Sequence, residues 1–175
     1  MGLVAFTEIG SVLMMRSSSN RLSGSAMNDI GVLRNAAIVF DEQIRWVGSM
    51  DDYVAGRTAG QWSNVSEISL KGHCVMPGFV DSHTHIVFAG SRANEYGRRL
   101  QGVSYQQIAS EGGGILSTMR AVRDSSVEEL ADMGIRYALS AMKYGTTTIE
   151  VKSGYGLSVA SELAQLRAIR LVREQ

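Results

Sequence analysis

The sequence predicts an α/β fold in two parts, β-rich over residues 1–75 and alternating strand with helix over residues 76–175. Upstream of Val75, short β-branched and aromatic runs recur between turn signals; downstream of Ser104 the apolar period lengthens from two to about 3.6. The boundary carries the third observation. The apolar run Val75-Met-Pro-Gly-Phe-Val-Asp-Ser82 ends in His83-Thr84-His85.

Taken in order, Val4 to Leu13 is a first strand, and the polar, turn-rich stretch Arg16 to Ser25 is a loop after it. Ala36 to Phe40 and Gln43 to Val47 are β-prone runs around Asp41-Glu42, which predicts a hairpin. Val65 to Leu70, closed by Lys71-Gly72, is a further strand. Pro77-Gly78 then punctuates the entry to the histidine-bearing strand, where Phe79-Val80 supply β-forming bulk.

Beyond it, Ser104-Tyr-Gln-Gln107 has capping-box form and opens a short helix to about Ser110, stopped by Gly112-Gly-Gly114. Ser126-Val-Glu-Glu129 opens a second, with Leu130, Met133, Tyr137 and Ala141 as its apolar face and Tyr144-Gly145 as its end. The β-branched run Thr146 to Lys152 is a strand, with Ile149 and Val151 toward the helices and Glu150 and Lys152 away from them. Ser158 starts a last helix whose packing stripe is Leu163, Leu166 and Ile169; the pattern runs to Gln175 without a Gly cap or Pro.

Composition narrows the function classes. Of 175 residues, 45% are hydrophobic and 19% charged, as in globular proteins. Lys plus Arg number 17 and so do Asp plus Glu, which removes any long-range steering toward nucleic acid or an anionic membrane and favours a small-molecule substrate. No stretch approaches the ~18 apolar residues of a membrane span. Met1 to Met15 lacks a basic start and is interrupted by Glu8, unlike a signal peptide. The single cysteine, Cys74, allows no internal disulfide and suits a reducing compartment, so the expected location is cytoplasmic.

Candidate chemistry starts at the histidines. Residues two apart in a strand project from one face, so His83 and His85 can reach a single ion. An isolated His-x-His is a cheap signal, more often structural than metal-binding. Here Asp81 is in phase with both, so three polar groups leave one strand face, an arrangement that packing alone does not need. Asp81 either hydrogen-bonds a ligand histidine or caps local backbone. The remaining histidine, His73, precedes the strand and reads as a loop residue.

Pro77-Gly-Phe-Val-Asp81 with His83 and His85 resembles the first-strand signature of the amidohydrolase superfamily, whose members use barrel-bound metal to hydrolyse cyclic amides and related bonds. The runs His83 to Arg92, Leu100 to Tyr105, Gly112 to Thr118 and Glu150 to Leu157 are similar to members acting in histidine degradation. The resemblance is dense from about Val75 to Gln175 and thin before about Ala26. It implies a partial (β/α)8 barrel, namely its first two βα units over 76–175, preceded over 1–75 by part of a composite β-sandwich. A complete barrel needs roughly 200 residues or more, so the chain reads as the N-terminal portion of a longer enzyme.

For that enzyme the resemblance implies hydrolysis of the cyclic amide bond of 4-imidazolone-5-propanoate to N-formimidoyl-L-glutamate, with one divalent ion, zinc or iron, on His83 and His85. A further His and Asp for the metal, and a Glu and a His for proton transfer, are expected outside these 175 residues, so the chain alone is expected to be inactive. By position Arg92 reads as a solvated loop arginine; in its Gly90-Ser-Arg92 context the resemblance assigns it to the substrate carboxylate, which a guanidinium clamps bidentately. Tyr155, between two glycines, is a substrate hydrogen-bond donor by the same resemblance; Tyr105 is a weaker substrate-binding candidate that as readily packs. Lys152 is paired with Glu150 rather than metal-bridging. Gly112-Gly-Gly114 lacks the Gly-Lys-Ser/Thr ending of a phosphate loop and reads as a loop over the site. The family suggests a homodimer at full length. Two rivals stand beside this reading: another amidohydrolase, hydantoinase-like or a deaminase, and a non-catalytic truncated product.

Overall fold

The computed structural model describes residues 2–15 and 22–175. The chain splits into two compact units, Met1–Pro77 and Gly78–Gln175.

In the first unit, β1 (Val4–Leu13) is the central strand. It pairs antiparallel with β2 (Val32–Phe40), which pairs antiparallel with β3 (Ile44–Ser49). On its other side β1 pairs parallel with β4 (Ser66–Ser69) and β5 (Cys74–Val75). The β2–β3 turn is built by Asp41, whose carboxylate accepts the Gln43 amide (2.9 Å) and binds Arg45 (2.9 Å). The register of β1 against β2 shifts between Phe6 and Ile9, with Glu8 at φ 52°. One extra residue there keeps Phe6 and Ile9 on the same apolar face.

Both faces of this sheet are apolar. Ile9, Val12, Ala36 and Ile38 are buried on one; Ala5, Ala37 and Val39 on the other pack with Tyr53 of α1 (Met50–Thr58). Residues 50–58 carry no helical pattern legible in the sequence. Only Tyr53 and Gly56 of α1 are buried, too few to write an apolar stripe, although Ser49-Met-Asp-Asp52 carries a start signal and the Ser49 hydroxyl does accept the Asp52 amide (3.1 Å). The described residues of the predicted loop after β1 hold a short 3-10 turn at Gly24–Asn28; the rest of that loop lies outside the described residues.

In the second unit, β6 (Phe79–Thr84) and β7 (Thr146–Val151) form a two-stranded parallel sheet. Between them run α2 (Ala93–Leu100), α3 (Tyr105–Ser110), α4 (Ile115–Asp124) and α5 (Val127–Lys143), and α6 (Val159–Arg173) follows β7. Both capping signals mark real starts: the Ser104 hydroxyl accepts the Gln107 amide, and Ser126 with Glu129 forms a reciprocal box. Helices α2 and α4 have no counterpart in the sequence reading. The core is Val87, Val122, Leu130, Ala131 and Ala168.

Two predicted stripes are displaced. On α5 the buried positions are Leu130, Ala131 and Gly134, while Tyr137 is 38% exposed and stacks on Phe88. On α6 they are Gln165 and Ala168, whereas Leu163 and Leu166 are about half exposed. A leucine-based stripe cannot foresee a buried glutamine, which is tolerated only because hydrogen bonds satisfy it. The apolar side of β7 and α5 forms a groove of about 530 Å³ between Ile135, Leu139, Met142, Ile149 and Val172.

Candidate metal and substrate site

His83 is the penultimate residue of β6 and His85 follows its end. Their rings lie 5.6 Å apart, centroid to centroid, at 63°. The ladder is irregular between Asp81 and Thr84, so Asp81 is not in simple phase with them. Its carboxylate accepts the His83 backbone amide at 3.4 Å, the local capping role. Among the described residues, no three His, Cys, Asp or Glu side chains cluster closely enough to hold a metal.

The two histidines differ in setting. His83 is exposed, and its imidazole contributes to holding the nearby Glu150 carboxyl below the usual range, though the larger cause is the Lys152 hydrogen bond at 2.6 Å. His85 is half-buried against Tyr155, with ring centroids 5.5 Å apart. Its Nδ1 is buried without a hydrogen-bond partner. Gly154 makes that packing possible, because a Cβ there would lie 2.9 Å from His85 Cε1. Two imidazoles on one strand end, one with an unsatisfied ring nitrogen, fit part of a divalent donor set and leave the remaining positions to other groups.

Arg92 immediately precedes α2. Its Nε donates to Glu95 Oε2 at 2.8 Å, and Glu95 Oε1 in turn accepts the Gly114 amide at 2.9 Å. The Arg92 hydrogen bond above all, helped by the Gly114 amide and opposed by burial, holds the Glu95 carboxyl below its ordinary value. One carboxylate thus ties the Arg92 guanidinium to the end of the triple-glycine stretch, and among the described residues the outer nitrogens of the guanidinium make no hydrogen bond. Tyr105, half exposed, begins α3, and its hydroxyl lies beside Gly114. His73 belongs to the first unit, its ring against the Leu70 carbonyl.

Tyr155 is half-buried between His85 and Phe88. The backbone around it is held by side chains that the sequence reading does not single out. Gln165 Oε1 accepts the amides of Gly154, Tyr155 and Gly156 at 3.3, 3.2 and 3.0 Å. Glu162 accepts those of Gly156 and Leu157, both at 2.8 Å, and Arg123 donates to the Gly156 and Leu157 carbonyls. A glutamine inside a helical pattern offers no signal of this; Glu162, at the first turn of α6, at least has the form of a helix-start acid.

The chain is 46% identical over 162 residues to an imidazolonepropionase of Symbiobacterium thermophilum, covering 92% of this chain and 37% of the relative. With that of Porphyromonas gingivalis it shares 40% over 169 residues, covering 95% and 39%. Over nine-tenths of its length, this chain is similar to imidazolonepropionases. It spans somewhat over a third of the length of these curated imidazolonepropionase relatives. No family model matches the chain.

Solved structures give the fold. A triazine hydrolase from Arthobacter aurescens aligns with a TM-score of 0.54 at 14% identity, covering 99% of this chain and 34% of that one. An atrazine chlorohydrolase from Arthrobacter aurescens TC1, complexed with zinc and atraton, aligns at 0.51 and 15%, covering 98% and 33%. The mixed α/β fold is therefore shared with part of these hydrolases. No helix among the described residues is long and apolar enough to cross a membrane.

Proposed function

We propose that these residues form the N-terminal portion of a metal-dependent hydrolase that opens the imidazolone ring of 4-imidazolone-5-propanoate to N-formimidoyl-L-glutamate. The observation that carries the reading is the paired His83 and His85 at the end of β6, with an unpartnered imidazole nitrogen, in a chain similar to imidazolonepropionases. The architecture proposed is the first two βα units of a (β/α)8 barrel, following part of a β-sandwich. In a barrel of that kind, side chains at the C-terminal strand ends form the site.

His83 and His85 would hold one divalent ion, zinc or iron, since imidazole suits both. When bound, such an ion lowers the pKa of water and polarises an amide carbonyl. The other roles fall to this chain's own groups. Arg92, braced by Glu95, takes the propionate carboxylate through the guanidinium edge that Glu95 leaves free. The Tyr155 hydroxyl donates a hydrogen bond to the substrate from beside His85, and Tyr105 lies close enough to the Gly112–Gly114 turn to line the same loop. Asp81 orients His83 through its backbone amide. The remaining ligands and the proton-transfer groups belong to the rest of the enzyme, which is proposed to be a cytoplasmic homodimer.

The test is the full-length protein with both His83 and His85 replaced by Ala. Bound metal measured by mass spectrometry and turnover of imidazolone propionate are expected to disappear together. Undiminished metal content in the double variant would sink the ligand assignment. Turnover of a hydantoin or a nucleobase in place of imidazolone propionate would move the chain to another branch of these hydrolases.

A further inference from the structure

We infer that Gln165 is the residue that positions Tyr155 and His85 relative to one another, coupling the loop after β7 to the segment after β6. This rests on the metal and substrate roles proposed above. Gln165 is fully buried, and its amide is used at both ends. Nε2 donates to the Val87 carbonyl at 2.7 Å, two residues beyond His85. Oε1 accepts the three consecutive amides of Gly154, Tyr155 and Gly156.

No neighbour of comparable size can do this. The segment after β6 presents a carbonyl, an acceptor, whereas the loop after β7 presents amides, which are donors. A residue bridging the two must donate on one side and accept on the other. Carboxylates accept only, and Lys and Arg donate only; a hydroxyl lacks the span; the side-chain amide does both from one planar group. Glu162 and Arg123 hold the far side of the loop, at Gly156 and Leu157, and neither reaches the segment after β6 through a hydrogen bond among the described residues.

The positional consequence runs through Gly154 and Tyr155. Gly154 packs against the edge of the His85 ring, and the Tyr155 ring lies 5.5 Å from it. Neither Val87 nor residues 154–156 can shift without the other while Gln165 joins them. Losing the joint leaves the Val87 carbonyl and the amides of Gly154 and Tyr155 to find other partners, while Gly156 keeps Glu162, so the loop relaxes and the Tyr155 ring leaves its place beside His85.

The experiment compares the full-length protein with Gln165→Glu and Gln165→Met. Glutamate is nearly isosteric, keeps the acceptor for the three amides and, ionised, turns an acceptor toward the Val87 carbonyl. Methionine fills the space and supplies neither bond. Three readouts are taken: hydrogen exchange at residues 154–156, metal affinity by competition with a chelator, and KM against kcat for imidazolone propionate.

For Gln165→Met, exchange at 154–156 is expected to rise at least tenfold, metal affinity to fall several-fold and KM to rise about tenfold. Gln165→Glu is expected to keep much of the amide protection at neutral pH yet lose metal affinity, which separates the joint from simple loop packing. Should both variants lower the melting temperature while metal affinity and KM stay at wild-type values, Gln165 is only a core residue and the inference is overturned. If Gln165→Met does not fold, the Gln165→Glu metal affinity alone decides. Wild-type protein that binds no divalent metal would instead defeat the hydrolase reading, an outcome visible before any variant is made.

Discussion

The two units treat their strands in opposite ways. In the first, β1, β2 and their neighbours bury apolar side chains on both sheet faces, and Asp41 and Ser49 serve a turn and a cap. In the second, Val151 of β7 and the segment Ile86–Ala89 after β6 pack into the helical core, while His83, Glu150 and Lys152 sit among themselves on a polar side. A sheet with two apolar faces spends its sequence on stability. One that turns polar groups from its strand ends leaves those side chains unused by packing.

Both tryptophans, Trp46 and Trp62, pack beside the same first-unit cluster, so their emission reports that unit. The contrast is tested most severely at Gly10. Its amide bonds the His73 carbonyl, and a Cβ there would stand 2.1 Å from the Gly72 carbonyl oxygen, a backbone atom that cannot move alone. Gly10→Ala is expected to destabilise the first unit by about 3 kcal/mol or more, read as a shift in the urea midpoint of tryptophan emission. An unchanged midpoint would mean that β1 and the turn before β5 are less tightly joined than described.

In the second unit the corresponding position is Leu130, fully buried between α4, α5 and the segment after β6. Leu130→Ala is expected to cost about 2–5 kcal/mol, followed by helical circular dichroism because, among the described residues, five of the six α-helices lie in this unit. A smaller loss would show that the cavity collapses easily. Tryptophan emission is expected to move less than in Gly10→Ala. Should the two signals shift equally in both variants, the comparison between units fails as a description of stability.

How much of this is legible from residues alone divides along the same line. The bounds of β1 and the capping serines Ser104, Ser126 and Ser158 are readable, because strand alternation and caps are local. The histidine pair is readable because its spacing is the strand period. What escapes is long-range: α1 and α4 bury only two residues each, and the α6 stripe turns on a glutamine whose partners lie up to 78 positions away. Glu95 likewise looks like a surface acid until Arg92 and Gly114 are brought to its two oxygens. Pattern shows which face is apolar; it does not show which polar side chain will be needed inside.

The capping box of α5 isolates a smaller effect. Ser126 accepts the Glu129 amide at 3.1 Å, and Glu129 returns a bond to the Ser126 amide at 2.8 Å. Ser126→Ala is expected to cost about 1 kcal/mol, well below Leu130→Ala in the same unit, measured by the same dichroism midpoint. A loss as large as that of the core variant would mean that the helix start, not the core, governs the second unit.

The smallest expected effect is on acid sensitivity, and it concerns the loop that carries Tyr155. Burial pushes the Glu162 carboxyl up, but the hydrogen bonds it accepts, those of the Leu157 and Gly156 amides among them, outweigh it and hold the group below its ordinary value of 4.5. A carboxyl depressed in the folded state contributes stability that is fully present above the unfolded value and is lost as pH falls through the lower folded value. Protection of the 156 and 157 amides is therefore expected to be constant from neutral pH down to about 4.5 and to fall below it. In Glu162→Gln that acid limb should flatten, since the neutral amide oxygen still accepts both bonds but no longer titrates. A limb of unchanged steepness would assign the acid response to other carboxylates, and the loop would then owe its order to Gln165 and Arg123 rather than to charge.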